Sequence, residues 1–149
     1  MITTIAPCGM NCELCHSFQN KKKLCPGCRN RRTNCIIWIC NKKNIYCFEC
    51  LKFPCKRLKQ LDLRYKTKYS MSMLENLAFI KEQGETAFLQ QQEDKYTCLD
   101  CGNLHTVHYG YCIYCKQNRQ KWAKKLNILW VIDNKDTVLS NCYEFETKE

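Results

Sequence analysis

Residues 98–115 run Cys98-Leu-Asp-Cys101-Gly, nine further residues, then Cys112-Ile-Tyr-Cys115. Each Cys-x-x-Cys pair lets two sulfurs converge on one ion from a tight turn, and Gly102 suits the positive φ that such a knuckle takes. Two pairs complete a tetrahedron of thiolates, so the segment reads as a C-terminal zinc ribbon, its nine-residue spacer forming a short hairpin. His105 and His108 are then surplus, because four sulfurs saturate a structural zinc, and both are expected on the hairpin surface. A single iron is the chemical rival, since spacing does not separate the two metals.

Ten more cysteines lie upstream: Cys8-x3-Cys12-x2-Cys15, Cys25-Pro-Gly-Cys28, Cys35-x4-Cys40 and Cys47-Phe-Glu-Cys50-x4-Cys55. Close pairs make natural half-sites. Spacing therefore favours Cys12, Cys15, Cys25 and Cys28 around one ion and Cys35, Cys40, Cys47 and Cys50 around another. Cys8 and Cys55 are left to replace a member of either set, to bridge two ions, or to stay as buried thiols. With the ribbon this gives about three zinc ions per chain. An all-cysteine iron–sulfur cluster is the alternative for Cys8 to Cys55, because clustered Cys-x-x-Cys pairs are its signature too. The Cys8-x3-Cys12-x2-Cys15 spacing is also that of radical S-adenosylmethionine enzymes. Their chemistry is built on an α/β barrel of roughly 200 residues or more, and no βα alternation follows the motif here.

Fifteen cysteines in 149 residues is an odd number, and no charged n-region leads into an apolar stretch at the start. Metal ligation in a reducing cytoplasm is thus expected over a disulfide scaffold, and no apolar run is long enough for a membrane span. The formal charge of +10 suggests nucleic acid, but residues 1–55 carry nine basic against two acidic residues, so the surplus sits where the thiols sit. Eight thiolates around two dications would bring that +7 down to near +3, making much of it counter-charge for anionic metal sites.

The elements that must hold these sulfurs follow from the gaps between them. The boundaries fall at a cysteine-rich lobe (1–55), a helical connector (56–97), the ribbon (98–118), and a basic helix with tail (119–149). No Gly, Ser or Pro-rich linker separates them, so they are expected to pack together. Between His16 and Asn34 only Phe18 and Leu24 are large apolar residues, and metal must order what burial cannot. In the connector, Pro54 suits a first helical turn, and Leu58, Leu61 and Tyr65 form a stripe. Ser72 with Glu75 matches a capping box ahead of Leu74, Leu77, Ala78 and Ile80, with Gly84 placed to end that helix. A third short helix carries Ala87 and Phe88 and leads into a solvated polar run from Gln90 to Asp94. Residues 116–126 read as a basic helix bearing Trp122, and residues 128–132 with 137–143 as a terminal hairpin. The fold class is small, metal-stapled α+β: an irregular Cys-rich lobe, two to three helices and the ribbon.

Four stretches together carry a family resemblance: Ala6-Pro-Cys-Gly-Met-Asn-Cys-Glu-Leu-Cys15, Cys25-Pro-Gly-Cys28, Cys47-Phe-Glu-Cys-Leu-Lys-Phe-Pro-Cys55 and Tyr69-Ser-Met-Ser-Met-Leu-Glu-Asn-Leu77. The chain resembles a cysteine-rich domain-of-unknown-function family of bacteria and archaea, common in anaerobes, whose members are described as zinc-binding proteins. The resemblance covers most of residues 5–115 and implies metal binding at the cysteines, with no substrate or reaction to carry over. Ser70 stands where a glycine is expected, a departure placed at the start of the following helix.

Saturated four-cysteine sites leave no position for substrate or activated water, so the expected function is a zinc-binding interaction module for a protein partner. Two alternatives use the same residues. One is an iron–sulfur or single-iron protein that passes electrons or delivers metal. The other is a zinc-ribbon nucleic-acid binder, using Lys21 to Lys23, Arg29, Arg31, Arg32 and the basic helix. Catalysis is not indicated. There is no phosphate-cradling glycine loop, no His-Glu-x-x-His helix and no convincing carboxylate pair. His16 follows Cys15 directly, and sequence neighbours rarely face each other as nucleophile and base.

Overall fold

The computed structural model describes residues 4–20, 22, 25–30, 35–40 and 46–118. The expected tail elements, Trp122, Cys142, Lys21, Lys23, Arg31 and Arg32 lie outside these residues.

The chain enters through a tight turn in which Gly9 N–H donates to the Ala6 carbonyl (2.9 Å) and Ala6 N–H to that of Met10 (2.8 Å). Asn11 then caps a 3-10 turn, Cys12–Leu14, its side-chain oxygen accepting from Glu13 N–H at 3.0 Å. The short helix α1 (His16–Gln19) follows directly. After α2 (Ile36–Cys40) comes a second 3-10 turn, Cys47–Glu49, which the Glu49 carboxylate closes by accepting from Tyr46 N–H at 3.3 Å.

Two longer helices supply the surface against which this lobe packs. Helix α3 (Lys56–Tyr69) starts at Cys55, so Pro54 lies one residue before the cap and not in the first turn, and the Phe53–Pro54 peptide is cis. Leu58 is buried and Leu61 and Tyr65 are half-buried, as the stripe requires. Ser70 ends the helix in the left-handed region, φ 51° and ψ 39°. Its N–H donates to the Lys66 carbonyl, and Met71 N–H donates to that of Tyr65, a left-handed helix end whose natural residue is glycine. Ser70 therefore sits at the end of α3, not at the start of the next helix. Ser70→Gly is expected to stabilise the protein by about 0.5 to 1 kcal/mol, because it removes the Cβ penalty at positive φ at a smaller cost in chain entropy. Denaturant titration of the metal-loaded protein checks this.

Helix α4 (Met73–Tyr96) begins at Ser72, whose hydroxyl accepts from Glu75 N–H at 3.1 Å. The same hydroxyl donates to buried Asp62 on α3 (2.7 Å), and Asp62 also accepts from Leu74 N–H (3.0 Å), so one carboxylate fastens both helices. Glu75 turns outward to Lys66 at 3.1 Å. Gly84 breaks the helical path at φ 88° and ψ 169°. Beyond it Phe88 and Tyr96 are buried, and so is Gln92, which the sequence placed in a solvated run.

The core runs through the three expected modules that the described residues cover: Ile5, Met10 and Leu14 from the lobe, Leu58, Met73, Leu77 and Phe88 from the helices, Val107 from residues 98–118. A hydrophobic interior does exist beneath the cysteine lobe, shared between the lobe itself (Ile5, Ala6, Met10, Leu14 and Tyr46) and α4, with Leu58 from α3. Among the described residues β pairing occurs only as isolated antiparallel bridges, Ile5 with Asn11, Thr97 with Leu104, and Tyr111 with Asn118. The described part is thus mostly helical with a cysteine cluster, and no helix in it is long and apolar enough to cross a membrane.

Candidate metal centre

The cluster at residues 98–115 is made of two copies of one local structure. In the first, Cys98 N–H donates to the Asn103 carbonyl (2.8 Å) and Gly102 N–H donates back to that of Cys98 (2.8 Å). In the second, Cys112 N–H donates to the Gln117 carbonyl (2.9 Å) and Lys116 N–H to that of Cys112 (2.9 Å). Each turn carries a positive φ at the residue after its second cysteine, 68° at Gly102 and 63° at Lys116. Each is closed by its own bridge, so pairing flanks the two knuckles where the sequence suggested a hairpin between them.

These turns aim four sulfurs at one point. Cys98 Sγ lies 3.5 Å from Cys115 Sγ, Cys101 Sγ lies 3.7 Å from Cys112 Sγ, and all four fall within 4.8 Å of one another. A zinc tetrahedron with 2.3 Å bonds has sulfurs about 3.8 Å apart, so the donor set fits one ion almost without movement. The contacts are far from disulfide length, and the fourteen cysteines among the described residues are free.

The four thiols are not equivalent. Cys98 is buried and burial pushes its thiol up to about 12. Cys101 is lowered to about 6, chiefly because the Asn103 side-chain amide donates to its sulfur at 3.4 Å, with help from Asn103 N–H. The group therefore contains one ready thiolate at neutral pH beside a thiol that a cation must deprotonate.

The front cysteines gather less tightly. Cys28 N–H donates to Cys12 Sγ at 3.3 Å, and the hydrogen bond shared with the Cys28 thiol lowers Cys12 to about 7 while raising Cys28. Cys8 and Cys15 also act on Cys28, and Cys25 is half-buried on the same Cys-Pro-Gly-Cys turn. Burial, and then the nearby Cys35 and Cys12 thiols, hold Cys8 up at about 11. Cys47 reaches about 12 through burial and then the thiols of Cys8, Cys55, Cys40 and Cys50. Among the described residues, only the set at residues 98–115 has three or more ligand atoms all within 4.8 Å of one another.

The two histidines are not exposed hairpin residues. His105 is fully buried, its N–H donating to the Tyr96 carbonyl at 2.7 Å. His108 is half-buried: Nδ1 accepts from His16 N–H (3.3 Å), Nε2 meets the Tyr65 hydroxyl (3.4 Å), and burial, with the His16 charge, lowers its pKa. Tyr65 is raised by burial and then by the Cys8, Cys15 and Cys28 thiols, so this pair joins the front cysteines to the rear segment. Spacing gave no sign of that junction. Arg29, counted with the phosphate-seeking residues, instead donates from Nε to the Ile5 carbonyl (2.5 Å) and lies 4.9 Å over the Tyr46 ring. The His16 ring packs edge-on to Tyr109.

Comparison with family models gives no match, and no curated protein or solved structure matches the chain.

Proposed function

We propose that this is a cytoplasmic zinc-binding protein whose four-cysteine sites are structural and whose work is to present a surface to a protein partner. The observation that carries the reading is the convergence of Cys98, Cys101, Cys112 and Cys115. Four thiolates fill zinc's coordination shell, which leaves no open position for a substrate or an activated water, and sites of that kind build structure. The resemblance of residues 5–115 to a zinc-binding family agrees with it. Large apolar side chains left in solvent, such as Ile36, Ile39 and Leu51, favour a protein partner over a phosphate backbone, as does the capture of Arg29 inside the fold.

Elemental analysis of the anaerobically purified chain tests the metal. The expected result is about three zinc per chain, one for each four-cysteine set. Iron with acid-labile sulfide, and the brown colour that accompanies it, would replace this reading with the redox or metal-delivery one.

A further inference from the structure

We infer that Cys40, Cys47, Cys50 and Cys55 form a second four-thiolate site, separate from residues 98–115, that holds a single divalent ion of the zinc class. This goes beyond the reading above, because it assigns a place and a partition to sulfurs that spacing leaves open. Cys55 takes the position that spacing offers to Cys35.

One cavity carries the inference. The four cysteines line it together, and Ile37, Phe53 and Leu58 supply an apolar wall. Its donors come from three elements: the last residue of α2, the two ends of the 3-10 turn region, and the cap of α3. The turn is held from both sides. Cys47 N–H donates to the Pro7 carbonyl (2.9 Å), Cys50 N–H to that of Cys47 (3.1 Å), and Phe53 N–H to that of Cys50 (2.9 Å). Sulfur is the chemistry this pocket offers, which selects a soft or borderline cation. Cys47, Cys50 and Cys55 are half-buried beside that wall and Cys40 is exposed, and a cation between them would offset the mutual repulsion of their thiolates. Arg57 at the rim supplies counter-charge for the net negative complex.

Helix geometry sharpens the assignment. Cys35 and Cys40 bracket α2 five residues apart, and Ile39 N–H donates to the Cys35 carbonyl at 3.0 Å, so Cys35 sits on the helical path. At 3.6 residues per turn, two positions five apart point about 140° away from each other. With Cys40 on the cavity, Cys35 is not among the residues that line it.

Cadmium-113 NMR of the full chain loaded with Cd²⁺ tests the site, because each four-sulfur centre gives its own resonance. Cys47→Ser is expected to abolish one resonance, and Cys55→His to shift that same resonance by exchanging sulfur for nitrogen. Cys35→Ser should leave it in place. Cys55→His retains a ligand and so reports on the site even where Cys47→Ser unfolds the lobe. The inference is overturned if Cys35→Ser removes that resonance while Cys55→His leaves it unmoved, or if the lobe as isolated carries iron and acid-labile sulfide. The centre at residues 98–115 reports separately: Cys101→His should shift a different resonance, and its failure to do so would count against the proposed function alone.

Discussion

Replacing Cys101 by serine is expected to remove one zinc per chain and to unfold the two knuckles of residues 97–118, while metal at the front lobe stays bound. The size of the effect follows from what surrounds these sulfurs. Cys98 and Cys112 are the buried centre of this small cluster, and the apolar neighbours packed on them are Cys101 and Cys115. Among the described residues no aliphatic core stands behind these sulfurs. Structural zinc is worth an apparent ~10–16 kcal/mol in small finger peptides, so losing one of four donors takes away most of what orders the turns. The damage should stop at the backbone anchors, where His105 N–H meets the Tyr96 carbonyl and Val107 N–H meets that of Leu14 (2.9 Å). Both residues belong to the buried interior. Metal content, together with amide exchange across residues 97–118, measures the outcome. Cys101→His, which keeps a ligand, should retain the ion. Loss of every ion in Cys101→Ser would mean that front and rear sites form one cooperative unit; loss of none would refute the four-cysteine assignment.

Much of this site is legible in the sequence because its determinants are local. Two Cys-x-x-Cys pairs and the glycine after the first specify a knuckle without reference to the rest of the chain, as Ser72 and Gly84 specify where α4 starts and breaks, whereas the Glu75 side chain expected to complete a capping box pairs with Lys66 instead. Lys116 is the counterexample within the same site. It adopts the left-handed conformation that Gly102 adopts, but a lysine carries no sign of it, and only the repeated hydrogen-bond pattern reveals the equivalence. The histidines were misplaced for a different reason. Whether His105 and His108 are exposed depends on Tyr96, Tyr65 and His16, which come from other modules and which spacing cannot bring together. The same holds for the front lobe, where counting apolar residues between His16 and Asn34 misses that α3 and α4 bring the core to it. A partition based on close pairs treats Cys35-x4-Cys40 as a half-site and does not register the short helix Ile36–Cys40 that separates them.

Gly9→Ala is expected to destabilise the metal-loaded protein by about 2 to 4 kcal/mol, combining a positive-φ penalty with overpacking. Gly9 has φ 85°, and a Cβ there would lie 2.9 Å from Leu77 Cγ and 3.0 Å from the Met73 carbonyl oxygen. The second contact is with helix backbone. It cannot yield by a rotamer change, and Met73 and Leu77 are both fully buried. Asn76, in the same turn of α4, donates from its side-chain amide to the Gly9 carbonyl at 3.0 Å, so the added methyl would also stretch a buried hydrogen bond. The glycine of the Cys-Gly-Met-Asn-Cys stretch is thus the point where the cysteine lobe lies flush on the start of α4. Displacing it moves Cys8 and Cys12, which flank it in the chain. Gly84→Ala separates the two causes, since Gly84 has φ 88° with nothing within 4 Å of an added Cβ and carries the backbone penalty without the clash. Denaturant unfolding of both variants decides between them. Equal losses would show that α4 does not press on the lobe, whereas a larger loss in Gly9→Ala, together with reduced front-lobe metal, would make this close approach the means by which the helix pair positions the ligands.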